Sequence, residues 1–354
     1  MAENTPRIGV LLVNVGTPQS PAAADVRRYL GEFLSDPRVI DIHPVARWLL
    51  LHLFILPFRP RRSGASYEKI WTEEGSPLLV FGSRFAAALN EALGDGFDVE
   101  LGMRYGKPSL ADALAALHRR GAKKLVVFPL YPQEADSSTG TSLEAVSRLV
   151  EGLWSEPELS IVPPFYDVEG LSQAVAAQGR PIVDDVDPDH VLFSFHGLPE
   201  RHIRKADATG SHCLQSEDCC AAVSSVNSRC YRAQCFATAR FVAEALSLEP
   251  DRWSVAFQSR LGRTPWIQPF TDVVIEEMAA SGTKRLVVFC PAFVADCLET
   301  LEEIGIRARE SFLAAGGEEL RLVPAVNVHP IWVRTAAQLV HGAMEDGRAE
   351  RGAH

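Results

Sequence analysis

The sequence predicts an α/β protein of two similar domains, each a four-stranded parallel sheet flanked by helices. Three observations predict it. Near-continuous apolar runs of strand length alternate with segments whose apolar residues recur at helical spacing, the pattern of parallel strands buried on both faces. Two segments of the first half recur in the same order in the second. Val10–Pro18 (VLLVNVGTP) parallels Val191–Pro199 (VLFSFHGLP), and Gly121–Pro129 (GAKKLVVFP) parallels Gly282–Cys290 (GTKRLVVFC). The length, 354 residues, is enough for two ordinary cores.

Taken in order, Arg7–Val15, Phe97–Tyr105, Lys123–Leu130 and Leu159–Pro163 predict the first four strands, with helices at Leu79–Leu93 and Leu110–Arg120. The second four are His190–Phe195, Ser254–Gln258, Lys284–Cys290 and Leu320–Val326. Their helices are Tyr231–Leu246, Thr271–Ala280 and Leu298–Leu313. The domains then run 1–165 and 166–330. Residues 331–354 form a closing helix, Trp332–Met344, and a tail that frays from Glu345. Met1–Pro6 leads into the first strand without a signal-peptide pattern, which points to a cytoplasmic protein. Open parallel sheets bind ligands beyond the carboxyl ends of their strands, so two such domains are expected to share an active-site cleft between them.

The net charge of −10 argues against a nucleic-acid binder, whose affinity comes largely from neutralising phosphates. No strand is followed by GxGxxG or GxxxxGK[ST], which disfavours a nucleotide site. No apolar run reaches the ~20 residues that span a bilayer. The nearest, Trp48–Phe58 (WLLLHLFILPF), is broken by Pro57 and followed by Arg59, Arg61 and Arg62. It reads either as a core helix and its exit or as an exposed lip, residues 46–62. Such a lip would dip into a bilayer surface with its arginines on anionic head groups.

Just beyond the predicted strands stand one histidine, His196, several carboxylates (Asp296, Glu299, Glu302, Glu303) and the aromatics Tyr105, Tyr131, Trp266 and Phe293. A histidine beside carboxylates can hold a metal and move protons. Glu299 and Glu303, four apart, share a helix face. Large aromatics suit a flat apolar ligand. Each signal alone also fits a plain reading: a hydrogen-bonded strand-end histidine, a solvated helix face.

Together these segments resemble the ferrochelatase family, over Gly9–Asn327. The resemblance rests on Ser194-Phe-His-Gly-Leu-Pro199, Gln258-Ser-Arg-Leu-Gly-Arg-Thr-Pro-Trp266, Tyr131-Pro-Gln133, Asp296-Cys-Leu-Glu-Thr-Leu-Glu-Glu-Ile304, and Gly75-Ser-Pro77 after Trp71. Cys297 stands where many members carry histidine, as in proteobacterial enzymes. The resemblance implies a Rossmann-like, chelatase-type fold and a lyase that inserts Fe²⁺, its substrate, into protoporphyrin IX. It implies His196 as the group for pyrrole deprotonation or metal handling, Glu299 facing it, and Glu303 and Asp296 continuing an acidic path. Arg104, Tyr105, Tyr131, Ser137, Thr139, Trp266 and Phe293 match pocket positions, Arg104 as partner of a propionate. Gln133-Glu-Ala-Asp136 departs from the family's usual loop. The alternatives are a chelatase for another tetrapyrrole such as coproporphyrin, and a non-enzymatic haem carrier or iron–sulfur sensor. A lipid-partitioning substrate and the apolar lip together imply peripheral association with the inner membrane.

Seven cysteines include five between Cys213 and Cys235, most of them in an insertion over residues 205–230. In a reducing compartment such a cluster points to metal. Some ferrochelatases carry a [2Fe–2S] cluster, with ligands mostly in a C-terminal extension that this chain lacks. The ligands expected here are Cys213, Cys219, Cys220 and Cys230. Cys235 is a possible replacement, and zinc is the competing metal. Adjacent side chains at Cys219 and Cys220 tend to diverge, the weak point of that ligand set.

Overall fold

Eight strands form two four-stranded sheets in which every pairing is parallel. The computed structural model describes residues 7–155, 157–262 and 264–352, the last helix without side chains from position 346. The leader reading at Met1–Pro6 and Arg263 of the Gln258–Trp266 motif lie outside the described residues.

The first sheet has the order β2-β1-β3-β4, from β1 (Ile8–Thr17), β2 (Phe97–Gly106), β3 (Lys124–Pro129) and β4 (Glu158–Ile161). Its helices are α1 (Ala23–Ser35), α2 (Pro44–Leu49), α3 (Arg59–Glu68), α4 (Pro77–Leu93), α5 (Leu110–Arg119) and α6 (Thr141–Leu153). The second has the order β6-β5-β7-β8, from β5 (His190–His196), β6 (Trp253–Gln258), β7 (Arg285–Phe289) and β8 (Glu319–Leu322). It carries α7 (Glu169–Val186), α8 (Glu200–Ala206), α9 (Tyr231–Leu246), α10 (Thr271–Ala280) and α11 (Arg309–Ala314). The repeated segments fall on corresponding strands, β1 with β5 and β3 with β7. The closing helix α12 runs Pro330–Gly352, beyond the Glu345 where the tail was expected to fray.

The strands read as unbroken apolar runs because both faces are covered. On β1, Val10 to Val13 are all fully buried, and Leu11 and Val13 share a core with α5 and α6 through Leu114, Leu117, Val146 and Val150. The second sheet repeats this with Leu192, Leu286 and Val288 against Ile275, Ile304 and Phe312. Each such side chain contributes about 1.5–3 kcal/mol by leaving water. Gly16 closes β1 at φ +115°, where a Cβ would lie 1.8 Å from the Tyr105 carbonyl oxygen on β2.

The chain divides into two compact units. One comprises the chain up to Leu130, Asp136–Pro163 and everything from Trp332. The other is Tyr131–Ala135 with Pro164–Ile331. Two side chains explain the exchanges. Trp332 stacks on Phe85 with ring centres 5.6 Å apart and meets Phe128 edge-on, which fixes α12 to the first unit. Gln133 is buried and donates to the Thr238 hydroxyl at 2.9 Å, which fixes the short Tyr131–Ala135 segment to the second.

Candidate active site

His196 is the last residue of β5, held at several points. Its Nδ1 lies 2.7 Å from the Gly197 carbonyl oxygen. A carbonyl only accepts, so in the neutral ring Nδ1 carries the proton and Nε2 the lone pair. The His196 carbonyl accepts from the Tyr231 hydroxyl at 2.8 Å, and the Gly197 amide donates to the Gln258 carbonyl at 2.7 Å. Gly197 has no room for a side chain: a Cβ would stand 2.9 Å from that carbonyl and 3.3 Å from the Trp266 ring. Trp266 is therefore packed beside the histidine, its own indole N–H donating to the Leu261 carbonyl. The Phe293 ring centre lies 6.4 Å from the imidazole, edge to face.

The carboxylates follow β7 on a segment whose winding differs from expectation. Glu299–Ala308 is a π-helix, and only Arg309–Ala314 is an α-helix. Single-turn π segments are rare and concentrate at functional sites. Glu303 is bonded by the Ser259 amide at 2.9 Å, by the Ser259 hydroxyl and by Gln258 Nε2 at 3.3 Å. Ser259 adopts φ +66°, a strained conformation that aims both its donors at one carboxylate. Gln258 also donates to the Glu299 carbonyl at 2.8 Å and accepts from the buried Ser194 hydroxyl at 2.7 Å. The Glu299 carboxylate receives the Cys297 thiol, which burial and that carboxylate hold well above the ordinary range. Gln258, Ser259 and Cys297 were all visible in the sequence motifs, but nothing in their residue types marked them as supports.

Asp296, expected on an acidic path, is held by protein groups. It is 3% exposed and accepts from the Thr300 hydroxyl at 3.0 Å, the Ala325 amide at 3.1 Å and Asn327 Nδ2 at 2.8 Å. Its carboxylate braces the turn before the π-helix. Glu302 is buried and bonds Arg307.

In the first unit, Arg104 and Tyr105 are held in the same way. Arg104 donates to Thr141 and to Asp36, the latter at 2.7 Å, and its guanidinium lies 4.5 Å from the Tyr105 ring centre. The Tyr105 hydroxyl donates to the same Asp36 oxygen at 2.9 Å. Asp36, which no motif marks, is the hub, and it takes a donor each from Arg104 and Tyr105. Ser137 and Thr139 sit on a second π-wound segment, Asp136–Gly140, which Arg38 secures through Asp136 and Glu144. The Thr139 hydroxyl is buried without a hydrogen-bond partner. Tyr131 is half-buried at the start of its short segment.

The insertion between α8 and α9 collects its cysteines. Asp207 organises it, accepting from the amides of His212 and Cys213 at 2.8 Å and from Thr209, contacts that hold its carboxyl well below the usual range. Cys213, Cys219, Cys220 and Cys230 are all buried. They form a chain of contacts: Cys213 with Cys230, Cys230 with Cys220, and Cys220 with Cys219, whose sulfurs are 3.7 Å apart. The adjacent pair therefore converges, contrary to expectation, and the amide of Leu214, itself in a left-handed conformation, donates to Cys219 Sγ. Among the described residues, no three His, Cys, Asp or Glu side chains are grouped around a single metal position. Cys235 packs inside α9 against Tyr231. Burial raises the Cys213 and Cys219 thiols, and the Cys230 contact with burial raises Cys220.

The Trp48–Phe58 stretch is α2 followed by a π-helical turn, Leu50–Ile55, that stops before Pro57. Trp48, Phe54 and Phe58 are 55%, 66% and 72% exposed, while Leu51 and Leu56 anchor the segment in the core. No helix among the described residues is long and apolar enough to cross a membrane.

Comparison with known proteins agrees with the fold and the motifs. The family model described as ferrochelatase matches residues 7–344. A ferrochelatase of Coxiella burnetii (strain CbuG_Q212) is 46% identical over 343 residues, covering 97% of this chain and 96% of that protein. A ferrochelatase of Pseudomonas fluorescens (strain Pf0-1) is 49% identical over 335 residues, covering 94% and 97%. Among solved structures, SirB from Bacillus subtilis with Fe³⁺ has the same type of fold at TM-score 0.53 and 12% identity, covering 98% of both chains. With the family's motifs in order before α4, after β3, at β5, at β6 and after β7, and a family match along nearly its whole length, this chain belongs to the ferrochelatase family.

Proposed function

We propose that the protein inserts Fe²⁺ into protoporphyrin IX to form protohaem, releasing two pyrrole protons, and that His196 Nε2 is the group that meets the reacting centre. The observation that carries this is the fixed imidazole: Nδ1–H is tied to Gly197, so a lone pair on Nε2 is presented beside Phe293. Pyrrole N–H groups are weak acids, and a base positioned at the nitrogen lowers the barrier as the proton leaves. Glu299 and Glu303 take the second proton and handle the incoming Fe²⁺, oriented by Cys297 and Ser259. Tyr131, Trp266 and Phe293 are assigned to the macrocycle face, and Ser137 and Thr139 to its polar edge, where Thr139's buried hydroxyl lacks a partner. Arg104 and Tyr105 are assigned to the porphyrin as well, held by Asp36, and Asp296 to the acidic path, held by Thr300 and Asn327. Anaerobic incubation with Fe²⁺ and protoporphyrin IX tests the reading: protohaem absorbance should rise with the wild type and not with His196→Ala.

The cysteine segment is assigned to a [2Fe–2S] cluster on Cys213, Cys219, Cys220 and Cys230. A two-iron cluster takes its four thiolates two per iron, and the thiols here are already associated in pairs. At metal–sulfur distances of about 2.3 Å, two thiolates on one tetrahedral metal stand roughly 3.8 Å apart, close to the 3.7 Å between Cys219 and Cys220. A single zinc would need all four around one point. Burial and thiol contacts hold Cys213, Cys219 and Cys220 above the ordinary thiol range, so loading them with metal releases protons.

The exposed side chains Trp48, Phe54 and Phe58, followed by Arg59, Arg61 and Arg62, support peripheral binding to the cytoplasmic face of an anionic membrane. That placement suits collection of a porphyrin poorly soluble in water.

A further inference from the structure

The cysteine segment ends one residue before a side chain that holds the catalytic histidine. Cys230 caps α9 and is 1% exposed, its amide bonded to the Asn227 carbonyl at 2.9 Å and its thiol touching Cys213 and Cys220. Tyr231 follows directly, is buried, and donates its hydroxyl to the His196 carbonyl at 2.8 Å. The start of α9 has little freedom to absorb a displacement. Gln234 bonds the Ser228 carbonyl at 2.7 Å with its amide and accepts from the Glu134 amide at 2.6 Å with its carbonyl. A shift of Cys230 therefore passes to Tyr231, and from its hydroxyl to the peptide whose other side, Gly197, fixes the imidazole through Nδ1.

We propose that Tyr231 is a positioning residue that couples the state of the cysteine segment to the orientation of His196. The inference rests on the reading of His196 as the group at the reacting centre. On this view the insertion regulates turnover: when its thiols are reorganised, by gain or loss of a metal or cluster, the histidine moves. A tyrosine that merely filled space would couple to nothing, and the two cases separate experimentally.

The test uses the full chain with Fe²⁺ and protoporphyrin IX. Tyr231→Phe keeps the ring and removes the hydroxyl's bond to the His196 carbonyl together with its contact to the Cys235 thiol. It should lower kcat about tenfold, the rate equivalent of one well-placed bond, with KM little changed and the melting temperature lowered by only a few degrees. Cys213→Ser should lower kcat in the wild type but add little in the Tyr231→Phe protein. Carbon-13 labelled histidine provides a readout independent of turnover: the His196 ring signal, assigned by its loss in His196→Ala, should move in both single variants. Wild-type kcat in Tyr231→Phe, effects that multiply in the double variant, or an unmoved His196 signal would each overturn the coupling. Should Tyr231→Phe not fold, the His196 signal in Cys213→Ser alone decides, moved or unmoved. If His196→Ala retains full turnover, the underlying reading of the site fails instead, whatever Tyr231 does.

Discussion

Asp36 offers the sharpest test of the bracing argument. Its carboxylate, 6% exposed, accepts from Arg104 at 2.7 Å, from the Tyr105 hydroxyl at 2.9 Å and from the Thr141 hydroxyl. Asp36→Ala strands these three donors and the Arg38 amide. Losing a charged hydrogen bond costs about 1.5–3 kcal/mol and each neutral one about 1 kcal/mol, consistent with the ~3–5 kcal/mol for breaking a buried ion pair. At roughly 2–4 °C per kcal/mol for a unit of this size, the melting transition of the first unit should fall by about 6–20 °C. Calorimetry measures it, and hydrogen exchange on β1–β4 assigns the transition, since two units need not melt together. The pH dependence follows from the carboxyl itself. Burial raises its pKa, but the bonds from Thr141, the Arg38 amide and Tyr105, with the charge of Arg104, outweigh that and hold it below its ordinary value. A depressed carboxyl contributes stability that is complete above about pH 4 and is lost as pH falls through the folded value. The gap between wild type and Asp36→Ala should therefore narrow in acid. A drop of less than about 2 °C at pH 7, the equivalent of under 1 kcal/mol, would refute the claim that Asp36 is the hub.

His196→Ala should abolish metal insertion at unchanged thermal stability; Glu299→Gln should be nearly as damaging and Glu303→Gln milder, and steady-state assays that find Glu303→Gln the worse variant would reverse their assigned order. Replacing Trp48, Phe54 and Phe58 with Ser should release the protein from anionic vesicles, and unchanged flotation would show that the lip serves another purpose. Purified protein should be red-brown with two irons and two sulfides per chain, losing its colour in Cys213→Ser; a colourless, zinc-loaded and fully active preparation would reject the cluster and leave the chelatase reading standing.

Strand positions were legible because burial on both faces removes polar residues from β1, β3, β5 and β7, leaving runs such as Leu125–Phe128 that fit few other structures. Helix α5 was legible for the related reason that one apolar stripe, Leu110, Ala113, Leu114 and Leu117, repeats at helical spacing and is buried. The strand-end position of His196 could likewise be read from the sequence. What stayed hidden depends on partners distant in sequence. Arg104 is bound by Asp36, 68 residues away, and Glu303 by Ser259, 44 away, so neither bond leaves a local pattern. Arg104 read as the partner of a propionate and Asp296 as part of an acidic path, because a sequence shows the charge but not the protein groups bonded to it. The lip resisted for another reason: an apolar helix beside the core and one facing outward have the same composition, and only exposure separates them.

The winding of Glu299–Ala308 shows how backbone geometry can sort similar side chains. Three glutamates lie within five residues, and on an α-helix positions three and four apart are both neighbours of the first. Glu302 and Glu303 would then flank Glu299 almost equally. Bonding from i to i+5 widens the turn, so the residue four along stays near the face of Glu299 while the residue three along swings away. The contacts follow that division. Glu303 turns to Ser259 and Gln258, the same glutamine that bonds the Glu299 carbonyl, whereas Glu302 is buried against Arg307. The wide turn thus leaves the Glu303 carboxylate and the Glu299 carbonyl both tied to Gln258, which pairs with His196 across β5 and β6, and turns Glu302 away. Restoring α-helical winding, for instance by deleting Gly305, should draw Glu302 toward the pair and misplace Glu303 relative to Ser259. Metal insertion should then fall even though every catalytic side chain is still present. Full activity in such a deletion, with the second unit folded, would show that the carboxylates do not depend on the winding for their arrangement.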